Sequence, residues 1–185
     1  MKKKKEADDK EQKFLRDCNK IFFNKLNNST SNQIDLALKY LTERGYTEQQ
    51  IKEFGIGFFP DYNELLEELT TAAYGYSEED ATKLITDYFK GILGNNGNDK
   101  TEESGKYRIT FAWHDKNQNI KGYTVRKLSD EGQKYFNNNG FSKGGLLFNM
   151  NNIKNKRQDY LVVVEGVFDA LTATYLVNDE IKSKY

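Results

Sequence analysis

The sequence predicts an α+β fold: a helical subdomain, then a small antiparallel β region, then the first βα unit of an α/β sheet. Three observations lead there. Apolar residues recur at three- and four-residue steps through residues 14–92, two strand-like runs flank a polar turn within 107–127, and a β-branched run, Leu161 to Val164, precedes a Glu-Gly turn and a helix start. The expected organisation is a charged tail at 1–13, one subdomain at 14–157 and an incomplete α/β unit at 158–185. Within that subdomain, 14–92 is helical, 93–106 is a loop and 107–157 is strand-rich.

Residues 1–13 are almost wholly charged or polar and are expected to be frayed. Phe14, Leu15, Cys18, Phe22 and Leu26 then mark one helix face. Asn27 to Asn32 breaks the pattern before Ile34, Leu38 and Leu41 resume it. Thr47 and Gln50 have capping-box spacing ahead of Ile51 and Phe54, and Ser77-Glu78-Glu79-Asp80 starts a helix through Leu84, Ile85 and Tyr88.

The Asn- and Gly-rich stretch from Gly94 to Gly105 separates these helices from the strands. Tyr107 to Trp113 and Ile120 to Lys127, joined through His114 to Asn119, read as a β-hairpin. Lys134 to Phe136 and Gly145 to Phe148 read as short extended pieces, and Asn149 to Asn155 as a short helix.

The run Leu161 to Val164 suits a central parallel strand buried on both faces, which places Glu165 at its carboxyl end, where open α/β sheets bind ligands. Gly166 permits a tight turn, and Asp169 falls in the first turn of a helix carrying Phe168, Leu171, Ala173, Tyr175 and Leu176. By themselves these residues fit a metal or acid/base site and a plain structural turn alike.

Composition narrows the classes. A chain of 185 residues, 37% hydrophobic and 14% aromatic, can bury a core, while a mean hydropathy of −0.85 leaves much of it wetted. No apolar stretch approaches the ~18 residues that span a bilayer, and Lys2 to Lys5 leads into polar residues, so a cytoplasmic protein with no membrane partner is expected. One cysteine, Cys18, and one histidine, His114, exclude a disulfide framework and a Cys/His zinc site. With 28 basic and 28 acidic residues the net charge is zero, so any nucleic-acid contact must be a local patch.

The ordered motifs carry a resemblance. Ala37-Leu38-Lys39-Tyr40-Leu41-Thr42-Glu43-Arg44-Gly45-Tyr46-Thr47 and the IKEFGIGFFP segment from Ile51 to Pro60 resemble the start of the RNA-polymerase core of bacterial DnaG-type primases. Gly75 to Asp80, the Arg108-Ile109-Thr110-Phe111 strand, Gly122 to Arg126, Lys134-Tyr135, Ser142-Lys143-Gly144 and Leu146-Leu147-Phe148 follow in the family's order. Glu165-Gly166-Val167-Phe168-Asp169 is similar to the E-G-x-x-D that opens the family's TOPRIM fold.

The resemblance implies RNA primer synthesis on single-stranded DNA in replication. Template and nucleotide contacts would fall to Arg44, Arg108, Arg126, Lys134 and Lys143, because guanidinium forks and lysine point charges suit phosphate oxygens. Each could equally be a solvated surface charge. Tyr135 could stack on a base or belong to the core. Glu165 would be the metal-linked or acid/base carboxylate, with Gly166 and Asp169 in support. Mg²⁺ or Mn²⁺ is the cofactor of the complete family site, with no tight binding expected here and no zinc. Ribonucleoside triphosphates, single-stranded DNA and a replicative helicase or another replication protein are the implied partners.

The family's later D-x-D motif has no counterpart in these residues, nor do its zinc-binding and helicase-binding domains, and Thr124-Val125 stands where the family commonly has two glycines. Two accounts stay open: a piece of a longer primase that is inactive alone, and a stand-alone, non-catalytic module that binds nucleic acid or a replication protein. A third is a decoy that docks on a host protein through the helical region.

Overall fold

Helix α1, Lys2–Asn28, runs without interruption through the stretch expected to fray. The structure, a computed structural model, describes residues 2–93, 107–128, 132–152 and 162–184. The charged run is helical because no Gly or Pro breaks it and its second half is tied to distant elements. Lys10 pairs with Asp80 at 2.8 Å, and Gln12 Nε2 donates to the Ile120 carbonyl at 2.9 Å.

After the Asn-rich break, Ser31 caps α2 (Asn32–Glu43), its hydroxyl accepting from the Ile34 N–H. The reciprocal Thr47–Gln50 capping box starts α3 (Glu48–Glu53) as the spacing predicts. The region expected to be wholly helical then contains a strand, β1 (Gly57–Phe58). A second capping box, Asp61–Glu64, opens α4 (Tyr62–Thr70), and Ser77 caps α5 (Glu78–Leu93) by accepting from the Asp80 N–H.

The hairpin forms as expected from β2 (Tyr107–His114) and β3 (Ile120–Lys127), with β4 (Tyr135–Asn137) along its outer edge. The four strands lie in the order β1-β2-β3-β4, every neighbouring pair antiparallel. Pleating gives the sheet two buried faces. Tyr123 and Val125 meet Phe14, Phe22, Phe59 and Phe89 of the α1 side, whereas Ile109, Phe111 and Trp113 meet Leu41, Ile51 and Phe168. Helix α1 lies so close to β1 that a Cβ on Gly57 would fall 2.7 Å from the Phe22 carbonyl carbon.

The last helix, α6 (Val167–Lys184), docks on the second face, burying Val167, Phe168 and Leu171. The Tyr46 hydroxyl donates to the Phe168 carbonyl at 3.0 Å, and Tyr175 bonds to Glu53. Leu176, expected on the packed stripe, is exposed.

Three further expectations are corrected. Residues 162–164 are not a buried strand: they carry no regular structure and Val163 is 67% exposed. An apolar run becomes a strand only with a ladder partner, and this one lies outside the four-stranded sheet. Residues 145–148 turn instead of extending, because Gly145 adopts φ +84° and Leu146 N–H closes onto the Lys143 carbonyl. The short helix is a single 3₁₀ turn, Met150–Asn152, and the remainder of its expected span, with Leu161, lies outside the described residues. Among the described residues no helix is long and apolar enough to cross a membrane.

Candidate nucleic-acid interface

At the end of α2 the Arg44 guanidinium lies 4.7 Å from both the Tyr40 and the Phe168 ring centroids. The Arg126 guanidinium of β3 lies 5.4 Å from the same Tyr40 ring centroid and 5.0 Å from that of Tyr135. Phe168, Arg44, Tyr40, Arg126 and Tyr135 thus alternate ring and cation, a series stabilised by the negative faces of the rings.

Arg126 is 1% exposed, so its charge needs partners inside the fold. Its Nε donates to the Tyr40 hydroxyl at 3.1 Å and its terminal nitrogen to the Lys134 carbonyl at 3.3 Å. Tyr135 remains 36% exposed. Partial burial raises its hydroxyl pKa above the ordinary value, opposed by the Arg126 and Arg44 charges and reinforced by Asp169. These four side chains therefore share one electrostatic neighbourhood.

Tyr135 also lines a cleft of ≈ 370 Å³ together with Lys143, Glu165, Gly166, Trp113 and Thr124. Lys143 comes from the turn after β4, and its ammonium sits 5.1 Å from the Trp113 ring centroid; burial lowers its pKa. Glu165 is exposed at the cleft edge. Asp169, in the first turn of α6, folds its carboxylate back toward Gly166, where it would lie 2.7 Å from an added Cβ, and the Gly166 carbonyl accepts from Ala170 N–H at 3.0 Å.

The structure brings Arg44, Arg126, Tyr135, Lys143, Glu165, Gly166 and Asp169 to the cleft or the ladder beside it. Lys134 is exposed at the entry to β4 and reaches the ladder through its backbone carbonyl. Arg108 is not gathered there. It is 5% exposed and donates to the Phe59 carbonyl at 3.3 Å, bracing β1 against β2.

Sequence reasoning missed Trp113 and Thr124 in the cleft. The available signal was alternation: Trp113 shares a sheet face with Ile109 and Phe111, and Thr124 stands opposite Phe111 in the hairpin register.

Among the described residues no three or more His, Cys, Asp or Glu side chains gather to hold a metal ion. Mg²⁺ prefers octahedral oxygen coordination with one or two carboxylates plus phosphates and waters, so Glu165 alone does not complete a site.

Comparison with known proteins identifies the family of the chain. Residues 21–154 match the family model described as DNA primase catalytic core, N-terminal domain. The chain is 31% identical over 145 residues to a DNA primase of Staphylococcus epidermidis, covering 75% of this chain and 23% of that one. It is 33% identical over 146 residues to the DNA primase of Staphylococcus aureus strain COL, covering 73% and 22%. The chain thus spans less than a quarter of the length of these curated relatives.

Among solved structures, the E. coli primase catalytic core aligns with a TM-score of 0.59 at 26% identity, over 84% of this chain and 48% of that one. A DnaG primase catalytic domain bound to single-stranded DNA shares the fold, with a TM-score of 0.65 at 23% identity, over 91% and 53%. The chain belongs to the DNA primase catalytic-core family of the bacterial DnaG type.

Proposed function

We propose that this chain is the template-holding part of a DnaG-type primase core, acting in RNA primer synthesis on single-stranded DNA during replication. The observation that carries the reading is the convergence of Arg44, Tyr135, Lys143 and Glu165: exposed cations, a ring and a carboxylate on one cleft and its adjoining ladder. Arg44 and Lys143 meet phosphates, with Lys134 extending the same edge. Tyr135 offers a face to a base, since base–aromatic stacking tolerates any sequence. Arg126, being buried, positions Tyr135, and Arg108 braces the sheet. A solved primase domain of the same fold was bound to single-stranded DNA, which supports the choice of ligand.

Glu165 is the first carboxylate of a Mg²⁺ or Mn²⁺ site that needs further oxygen ligands. Ribonucleoside triphosphates would be the second ligand class, and a replicative helicase or another replication protein the macromolecular partner, in the cytoplasm. With one carboxylate in the cleft, these residues alone are expected to bind template without making primers.

The test is fluorescence anisotropy with a labelled oligothymidylate across a salt series, beside a primer-synthesis assay with Mg²⁺. Binding should weaken with salt, with a log–log slope of about −0.7 per phosphate contact, and Arg44→Ala should remove roughly one such contact. Glu165→Ala should leave binding unchanged. Failure to bind at low salt would refute the reading, as would primer synthesis by these residues alone refute its non-catalytic part.

A further inference from the structure

Trp113 is held on several sides. Phe148 meets it edge-on with centroids 5.2 Å apart, and Phe141 is tilted against it at 5.7 Å. Its indole N–H donates to Thr124 Oγ1 at 2.8 Å, and the Thr124 hydroxyl donates onward to Asn137 Oδ1 at 2.8 Å. Trp113 pairs across the hairpin with Gly122, where a Cβ would lie 2.3 Å from the Phe141 ring, so the bare backbone is what admits that ring. The indole has little freedom to rotate, and Lys143 lies over it.

We propose that Trp113 is a positioning residue that holds the Lys143 ammonium at the cleft wall for contact with an anionic ligand, the orientation of the indole being fixed by the Thr124–Asn137 hydrogen-bond chain. The ligand part rests on the proposed function, in which Lys143 meets phosphate. A lysine on a flexible four-carbon stem loses entropy when it is fixed on a ligand. A ring face that already restrains the ammonium by cation–π attraction reduces that loss. The partial burial that lowers the Lys143 pKa is consistent with the same placement.

The experiment uses the full chain. In ¹H–¹³C spectra the Lys143 Hε protons should be shifted upfield by the indole ring current, less so in Trp113→Phe and not at all in Trp113→Leu. Affinity for a labelled oligothymidylate should fall about three-fold in Trp113→Leu and by a similar factor in Lys143→Met, with no further fall in the double variant, as expected for a coupled pair.

An unshifted Lys143 resonance in the native chain would overturn the proposal, as would losses that add in the double variant. If Trp113→Leu fails to fold, Trp113→Phe decides: an affinity loss matching that of Lys143→Met despite a retained upfield shift overturns it. A shifted resonance in a chain that does not bind the oligonucleotide would refute the proposed function and leave the Trp113–Lys143 pairing established.

Discussion

The Nε of Arg126 donates a 3.1 Å hydrogen bond to the Tyr40 hydroxyl, joining a buried cation on the sheet to a helix 86 residues earlier in the chain. Tyr40→Phe keeps the ring that both Arg44 and Arg126 face and removes only the acceptor. Urea denaturation should show a destabilisation of about 1–3 kcal/mol, the effect of withdrawing one partner from a buried charged donor. Arg44, packed on the same ring, should keep its place.

Gly57 and Gly122 are both too crowded for a side chain, for different reasons. At Gly122 the obstacles are side chains, the Phe141 ring and Asn138 Oδ1, which can shift, so Gly122→Ala should destabilise by about 1–3 kcal/mol as overpacked positions do. At Gly57 the obstacles include the Phe22 backbone, which moves only with α1. Gly57→Ala should therefore be the more damaging, and thermal melts of the two variants would rank them.

The Thr47 cap is exposed and lines neither the cleft nor the ring–cation ladder, which makes it a test of local stability. Thr47→Ala removes the hydroxyl that accepts from Gln50 N–H and should cost about 1 kcal/mol in chemical denaturation. Oligonucleotide affinity measured on the folded variant should not change.

His114 is the sole histidine, and burial lowers its pKa below the ordinary value, with Asp115 partly opposing. A lowered folded-state pKa means that the unfolded chain takes up the proton first as pH falls. Its contribution to stability is therefore complete above the unfolded pKa of about 6.5 and declines as pH drops toward the folded value. Stability measured from pH 7.5 downward should show this decline, and His114→Asn should flatten it. The carboxylates with lowered pKa values, exposed Glu53 and Asp80 and half-buried Asp115, act at lower pH.

Local rules made much of the fold legible. The Thr47 box, the Ser77 start and the hairpin depend on neighbours within a few residues, and all three formed where spacing placed them. Non-local requirements were not readable in the same way. Gly57–Phe58 became a strand because β2 lies beside it, and 162–164 did not because none of the described strands pairs with it. The same distinction holds in the site. Residue type and motif order suggested Arg44, Arg126 and Tyr135, but that Arg126 is buried between two tyrosine rings while Arg108 turns toward Phe59 is decided by packing from elements far apart in sequence.

The docking of α6 also has a consequence for how the chain reaches this state. Tyr46 meets Phe168, and Glu53 meets Tyr175, across 122 residues in each case. During synthesis from the amino terminus, α2 and α3 emerge long before the helix that covers them. Until it arrives, the aromatic surface around Tyr46, Phe54 and Phe111 has no lid, an interval in which a nascent chain is open to self-association and chaperone capture. Contacts of such sequence separation slow the final closure, since the loop must be ordered before they form. Docking of α6 is therefore the step that closes this face of the sheet.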